Sequence, residues 1–339
     1  MSGDLEPIDP ETAVDLYLEH RRGEASERTL KGHKYRLEHF VEFCEKEDIT
    51  NMNDVSGRDL HAFRVWRREE GDLKPISLRG QLATLRAFLR FCASIDAVPE
   101  DLRQKVLLPT VSGDEQRSET TLDYERASDI LQYLDRYHYA ARKHVILLTL
   151  WRTGIRMGSL RAIDLDDLDL DAPGVQLVHR PGSDTPLKNK EKAERWVALS
   201  PRIATVIRDY IDGPRIETTD EYRREPLLTT EQGRASGTVI RSAIYSMTRP
   251  CWIDGTCPHD RDPEECEANS YRHASKCPSS RSPHDVRSGA ITAHLLEDVP
   301  VEIVSDRMDV SKKILDRHYD RRSEWEKMEQ RRQYLPTPE

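Results

Sequence analysis

A mainly helical fold in two parts is what this sequence predicts, and three observations predict it. Through the first 110 positions apolar residues recur at helical spacing, with no strand-like alternation. Residues 108–121, LPTVSGDEQRSETT, are polar with few apolar anchors and read as a linker. Beyond Leu122 helical stretches continue, but two short strand patterns appear among them. The expected division is a helical domain over 1–110, a linker over 111–121 and a helical domain with a small β-sheet, α+β in class, over 122–339. Two cores of that size are well within the reach of 339 residues.

Asp9-Pro10-Glu11 supplies a cap residue, a proline for the first turn and an acid, which together start a helix. Ser26 opens a second helix, whose Leu37, Phe40, Val41 and Cys44 lie on one stripe. A third is predicted from 57 to about 68. In the fourth, Leu78, Leu82, Leu85, Leu89 and Cys92 alternate steps of four and three. The outer faces of the second and fourth carry Lys31, Lys34, Arg36, Arg79, Arg86 and Arg90. Such a face is either solvated helix surface or a grip on DNA. Further helices are predicted at about 123–137, 140–152, 201–212, 237–248, 285–296 and 300–307, with strands around 175–178 and 195–199.

A net charge of -9 looks wrong for a nucleic-acid binder, because phosphates are held by Lys and Arg. The 52 basic residues, however, divide into 39 Arg and 13 Lys, and Arg is the better bidentate phosphate ligand. The acids also gather in runs such as 164–171, away in sequence from the basic clusters. Scarce Lys with excess acid is the pattern of a surface adapted to high salt, a halophilic expectation that a salt titration of stability tests. Mean hydropathy is -0.74 and no apolar run approaches bilayer length. The N-terminus has no signal-peptide pattern, so the chain is expected in the cytoplasm.

Cys44 and Cys92 fall on apolar helix faces and read as core. Cys251, Cys257, Cys266 and Cys277 form a cluster, with five, eight and ten residues between them. In a cytosolic chain such a cluster suggests metal before disulfides. Four thiols, with His259 and His273 nearby, can supply a tetrahedral zinc set. The alternative is a reduced, polar segment with a few packed thiols.

Three motifs carry chemistry. Thr153-Gly154-Ile155-Arg156 follows the apolar run from Val145, and the glycine allows a sharp bend that fixes the arginine beside it. Alone, it reads as a helix end with a surface Arg. His284 and Arg287 stand three apart at a helix start, on one face, where free amides and the helix dipole suit a phosphate. Tyr319, in Leu-Asp-Arg-His-Tyr, follows about thirty residues later. A lone Tyr there is more often packing than catalysis. The order of the three motifs changes that balance.

In this order the motifs resemble the tyrosine recombinase (phage integrase, Xer-type) family, and the match runs through nearly the whole chain. The resemblance implies an N-terminal four-helix SAM-like core-binding domain and a catalytic domain, with residues 251–277 as a Cys-rich insertion. It implies Tyr319 as nucleophile, Arg156 and Arg287 as phosphate clamps, and His284 as a donor or proton carrier. A hairpin lysine would act as general acid; Lys188 is the choice and Lys190 its competitor. It further implies double-stranded DNA as partner, a homo-oligomer (a tetramer on paired DNA sites) and no cofactor or metal for catalysis. Structural zinc would stiffen the insertion and help position His284. Two departures stand out. Ser159 replaces a common acid, and Met308-Asp309-Val310-Ser311 replaces a Leu-Gly-His-Ser-like motif. Val310 cannot donate the hydrogen bond that His or Trp gives there, and His318 is a substitute by proximity only. A segment over 324–334 could be a helix that docks on a neighbouring protomer. The alternatives are a type IB topoisomerase-like enzyme and a non-catalytic DNA-binding protein descended from a recombinase.

Overall fold

The computed structural model describes residues 5–110, 120–297, 299–319 and 324–332. The expected linker lies outside them except for residues 120 and 121. The chain divides into two compact units, Met1–Arg117 and Ser118–Glu339.

The first unit holds four helices, α1 (Pro10–Arg22), α2 (Glu27–Lys46), α3 (Gly57–Glu69) and α4 (Pro75–Ser94). Their starts follow the residues that predict them. Asp9 accepts from the Thr12 amide at 2.9 Å, and Ser56 and Asp59 form a reciprocal capping box. Leu78, Leu82, Leu85, Leu89 and Cys92 are all buried in the core. Aromatic rings meet edge-on at its centre, Phe40 against Phe63 at 5.5 Å and Tyr17 against Phe88 at 5.7 Å. Burying each such ring stabilises by about 1.5–3 kcal/mol. Burial pushes the Cys44 and Cys92 thiols up to about 12, as inert core residues require.

Half of the basic outer face has a structural task. Arg86 donates to the Val106 carbonyl at 2.8 Å, Arg79 to that of Pro109 at 3.0 Å, and Arg64 to that of Leu107 at 3.1 Å. Arg36 donates to the Thr84 hydroxyl at 3.1 Å. Arg64, Arg79 and Arg86 fasten the segment after α4 onto the helices, and Arg36 ties α2 to α4. Lys31, Lys34 and Arg90 are exposed and form no hydrogen bond or ion pair among the described residues.

The second unit is built around α6 (Arg142–Thr153), buried along almost its whole length. α5 (Tyr124–Tyr137), α8 (Pro201–Asp212), α9 (Gly237–Met247) and α11 (Pro283–Leu296) pack against it or each other. A short helix α7 (Met157–Ala162) follows α6. Beside them lies an antiparallel sheet of β1 (Leu168–Asp169), β2 (Gly174–Leu177) and β3 (Arg195–Ala198), with Val175 opposite Val197. A two-residue ladder, β4 (Thr229–Thr230) with β5 (Gly233–Arg234), completes the β structure. β1, β4 and β5 were not expected, because two-residue strands leave no alternation to read.

Two further features correct the sequence-based picture. The acids of 164–171 are not apart from basic residues in space: Asp164 and Asp167 are buried against Arg180, Arg224 and Arg234. The Cys-rich segment holds a short helix, α10 (Cys251–Asp254), and two single turns. Trp252 fastens it by its ring, 5.0 Å from Tyr133 and 5.6 Å from His138, with the Lys143 ammonium 5.3 Å above. After α11 come α12 (Val301–Met308), α13 (Lys312–Ile314) and a π-turn, Leu315–Tyr319. A last helix, α14 (Glu324–Arg332), covers most of the expected terminal helix. Among the described residues no helix is long and apolar enough to cross a membrane.

Candidate active site

Gly154 ends α6 in the left-handed conformation, at φ 61°. A Cβ there would also lie 2.5 Å from the Met308 sulfur, so the turn needs glycine twice over. The chain then extends through Arg156, which precedes α7. Facing this turn is the end of α12, closed by Asp309 at φ 50°.

Three guanidinium groups converge on that helix end. Arg195 donates to the Arg307 carbonyl at 3.0 and 2.9 Å. Arg287 donates to the Met308 carbonyl at 2.7 Å and to the Gly154 carbonyl at 2.5 Å. Arg156 donates to the Asp309 carbonyl at 2.8 Å and pairs with its carboxylate. Carbonyls left open at a helix C-terminus carry partial negative charge, so cations gather there naturally. Burial, then the Arg156 cation, push the Arg287 pKa down; Tyr319 opposes them, Arg195 adds to them, and Asp309 opposes. Arg195 is pushed down mainly by burial, with Asp309 opposing. Arginine stays charged in proteins, so this pressure marks a positive field that an incoming phosphate would relieve.

α11 begins with a capping box between Ser282 and Asp285, which sets His284 and Arg287 in its first turns. Packing beneath the exposed edge of His284 lowers its pKa, Asp285 opposes, and Arg287, Lys188 and Arg156 lower it further. The ring is therefore neutral at pH 7. Tyr319 closes the π-turn, with its carbonyl accepting from the Thr292 hydroxyl at 3.1 Å. Its ring is only 8% exposed and stands edge-on to His284, with centroids 6.5 Å apart. It is also among the groups that act electrostatically on Arg287. The chain thus brings Arg156, His284, Arg287 and its own Tyr319 to one place.

Lys188 reaches the same site by charge, being one of the groups His284 feels. It does not sit at a strand-to-turn junction: β2 ends at Leu177 and β3 starts at Arg195, and Lys188 follows the buried Leu187 in irregular chain. Lys190 is exposed at φ 56°, opening a single turn. Ser159 is buried. Val310 is buried in an apolar cluster with Met308, Leu315 and Tyr319, and offers no side-chain donor. The side chain of His318 lies outside the described residues. Sequence reasoning missed Arg195, Asn189 and Asp309. The Asn189 amide donates to both Asp309 carboxylate oxygens, at 2.9 and 3.0 Å. The one available signal was an acid at the glycine position of the motif before Tyr319.

The expected zinc set of Cys251, Cys257, Cys266 and Cys277 is not assembled. Among the described residues no group of three or more His, Cys, Asp or Glu side chains could hold a metal ion. All four thiols are free. Burial raises the Cys251 thiol pKa, Arg249 opposes, and Cys277 and Cys257 add to the rise. His259 is hydrogen-bonded to Ser279 at 2.9 Å, and His273 faces Glu267 at 3.6 Å. Ring packing at Trp252 holds the first turn of this segment.

Residues 14–94 match the family model described as the phage integrase N-terminal SAM-like domain. Tyrosine recombinase XerC of Pseudomonas syringae pv. tomato is 26% identical over 197 residues, covering 56% of this chain and 64% of that protein. Tyrosine recombinase XerC of Staphylococcus carnosus is 29% identical over 195 residues, covering 55% of this chain and 63% of that protein. This chain therefore spans a little under two thirds of the length of these relatives. In fold it is similar to the Tn1549 transposon integrase solved in complex with transposon right end DNA. That likeness has a TM-score of 0.65 at 13% identity, over 96% of this chain and 99% of that one. A SAM-like helical domain, a mainly helical second unit bearing small sheets, and these likenesses make the chain similar to tyrosine recombinases and integrases.

Proposed function

We propose that this chain is a site-specific tyrosine recombinase that cleaves and rejoins double-stranded DNA through a 3′-phosphotyrosyl intermediate at Tyr319. The observation that carries it is the meeting of Tyr319, His284 and the buried Arg287 at the Gly154 turn, with Arg156 beside them. A phenol with a pKa of about 10 is a weak nucleophile at neutral pH, so its proton needs an acceptor. Neutral His284, whose ring stands edge-on to that of Tyr319, would take it. The Tyr319 oxygen then bonds to phosphorus, the bond from phosphorus to the 5′-oxygen breaks, and that oxygen leaves with a proton from Lys188. Arg156 and Arg287 hold the non-bridging oxygens, where the charge develops. Rejoining reverses each step with the 5′-hydroxyl of another strand. One ester replaces another, so no external energy source is needed.

The test is covalent trapping on nicked duplexes enriched by binding selection on the purified protein. Tyr319→Phe is expected to abolish the protein–DNA adduct while leaving DNA binding largely intact. An adduct of normal yield would overturn the assignment. The working form proposed with this chemistry is a tetramer on paired sites, which mass measurement with and without DNA tests. Structural zinc on the four cysteines is a separate proposal, carried by their number and by the influence of Cys277 and Cys257 on the Cys251 thiol. It requires those thiols to close together, and metal analysis of the purified chain decides it. Adaptation to high salt rests on composition, and full folding in low salt would remove it.

A further inference from the structure

Among the described residues, the Asp309 carboxylate is the anion paired with Arg156. It pairs with Arg156 on one side and accepts from the Asn189 amide on the other, at 2.9 and 3.0 Å. Arg156 is also one of the two guanidinium groups assigned to the scissile phosphate. A carboxylate and a phosphodiester present the same kind of acceptor oxygen, and both suit bidentate guanidinium contacts. They cannot both occupy one guanidinium edge without two like charges in contact. The pair is partly accessible, with side-chain exposures of 25% for Arg156 and 16% for Asp309. An anion from solution can therefore reach it.

We infer that the Asp309 carboxylate holds the place of the phosphodiester between Arg156 and Asn189, and that Asn189 is a further phosphate ligand. This rests on the recombinase function proposed above and adds two residues to it. When the phosphate enters, the carboxylate withdraws and the Asn189 amide is free to donate to a non-bridging oxygen. That supplies a neutral donor in a site where Val310 has none. Asp309 also sets a threshold. Only an anion with enough additional contacts, such as a phosphate embedded in bound duplex, displaces it.

The position allows a clean substitution. Asp309 is at φ 50°, a conformation that Asn tolerates as well as Asp, so Asp309→Asn removes the charge without adding backbone strain. Inorganic phosphate is the probe, titrated against chloride at constant ionic strength. Thermal stabilisation of the full chain is the readout, since a ligand of the folded state raises its melting temperature. Asp309→Asn is expected to reach half-maximal stabilisation at a phosphate concentration at least tenfold lower than the parent chain. Adding Asn189→Ala to it should reverse most of that gain, and adding Arg156→Ala should remove the response. If Asp309→Asn responds no more tightly than the parent while Arg156→Ala still removes the response, the place-holding role is overturned and the phosphate clamp stands. If Asn189→Ala changes nothing in the Asp309→Asn background, the amide is not a ligand. If phosphate stabilises none of the chains, the inference and the clamp fall together. Asp309→Glu keeps the charge and serves as the folding control; a gain equal to that of Asp309→Asn would also overturn the role.

Discussion

The second unit contains two groups of arginines, and they differ in what answers their charge. In the first, Arg180, Arg224 and Arg234 face Asp164, Asp167 and Asp220. Arg180 grips Asp167 at 2.9 and 2.5 Å, Arg234 holds Asp220 at 3.0 and 2.8 Å, and Arg224 spans Asp164 and Asp220 at 3.2 Å each. Three cations meet three anions, and the group closes on itself. In the second, Arg156, Arg195 and Arg287 meet backbone carbonyls and, among the described residues, a single carboxylate, that of Asp309. Carbonyls fix the direction of a guanidinium without cancelling its charge. The first arrangement balances its charge within the fold, and the second leaves positive charge in excess.

Three substitutions would break or sharpen that contrast. The largest effect is expected at Asp164→Ala, which removes a buried carboxylate and strands the part-buried Arg224 and Arg234 without one of their partners. It should cost about 3–5 kcal/mol of stability in denaturant unfolding while leaving adduct formation per folded molecule near normal. A comparable loss of adduct would show that the closed group is also part of the chemistry. Next is Arg156→Ala, on the open group. Adduct formation should fall by about 10²–10³-fold, with far less change in unfolding than Asp164→Ala produces. A purely structural Arg156 would give the reverse ranking. The smallest is His284→Asn, read in the pH dependence of stability. Folded His284 titrates below its ordinary value of 6.5, so beneath that pH the unfolded chain binds a proton that the folded ring refuses. Stability should therefore fall as pH drops below about 6.5, and the substitution should make that fall shallower. An unchanged slope would assign the effect to His33 and His144, which burial also lowers.

Much of this was open to reading before any coordinates. Helix starts at Asp9, Ser26 and Ser282 follow from capping chemistry, which is local and therefore written in adjacent residues. That Arg156, His284, Arg287 and Tyr319 come together was legible through the resemblance that their order along the chain carries. Contacts between distant segments were not. Nothing near Asp164 in sequence announces Arg224 or Arg234, and the run of acids looked like solvent-facing surface. The choice between Lys188 and Lys190 depends on the path of a long irregular loop, which has no period to follow. Cysteine spacing gives the number of thiols but not whether the chain folds them to a common point. Asp309 was visible only as a departure from a motif, and its task became clear when Arg156 and Asn189 were found on either side of it.

One glycine sets a limit of another kind. A side chain at Gly289, on α11, would begin 1.8 Å from the Leu122 carbonyl oxygen, where the backbone crosses the helix that bears His284 and Arg287. Gly289 touches no reacting atom. The constraint is one of packing alone, so it holds whether or not a tyrosine stands at position 319. A sequence that keeps this glycine but lacks the tyrosine would keep the crossing and lose only the phenol.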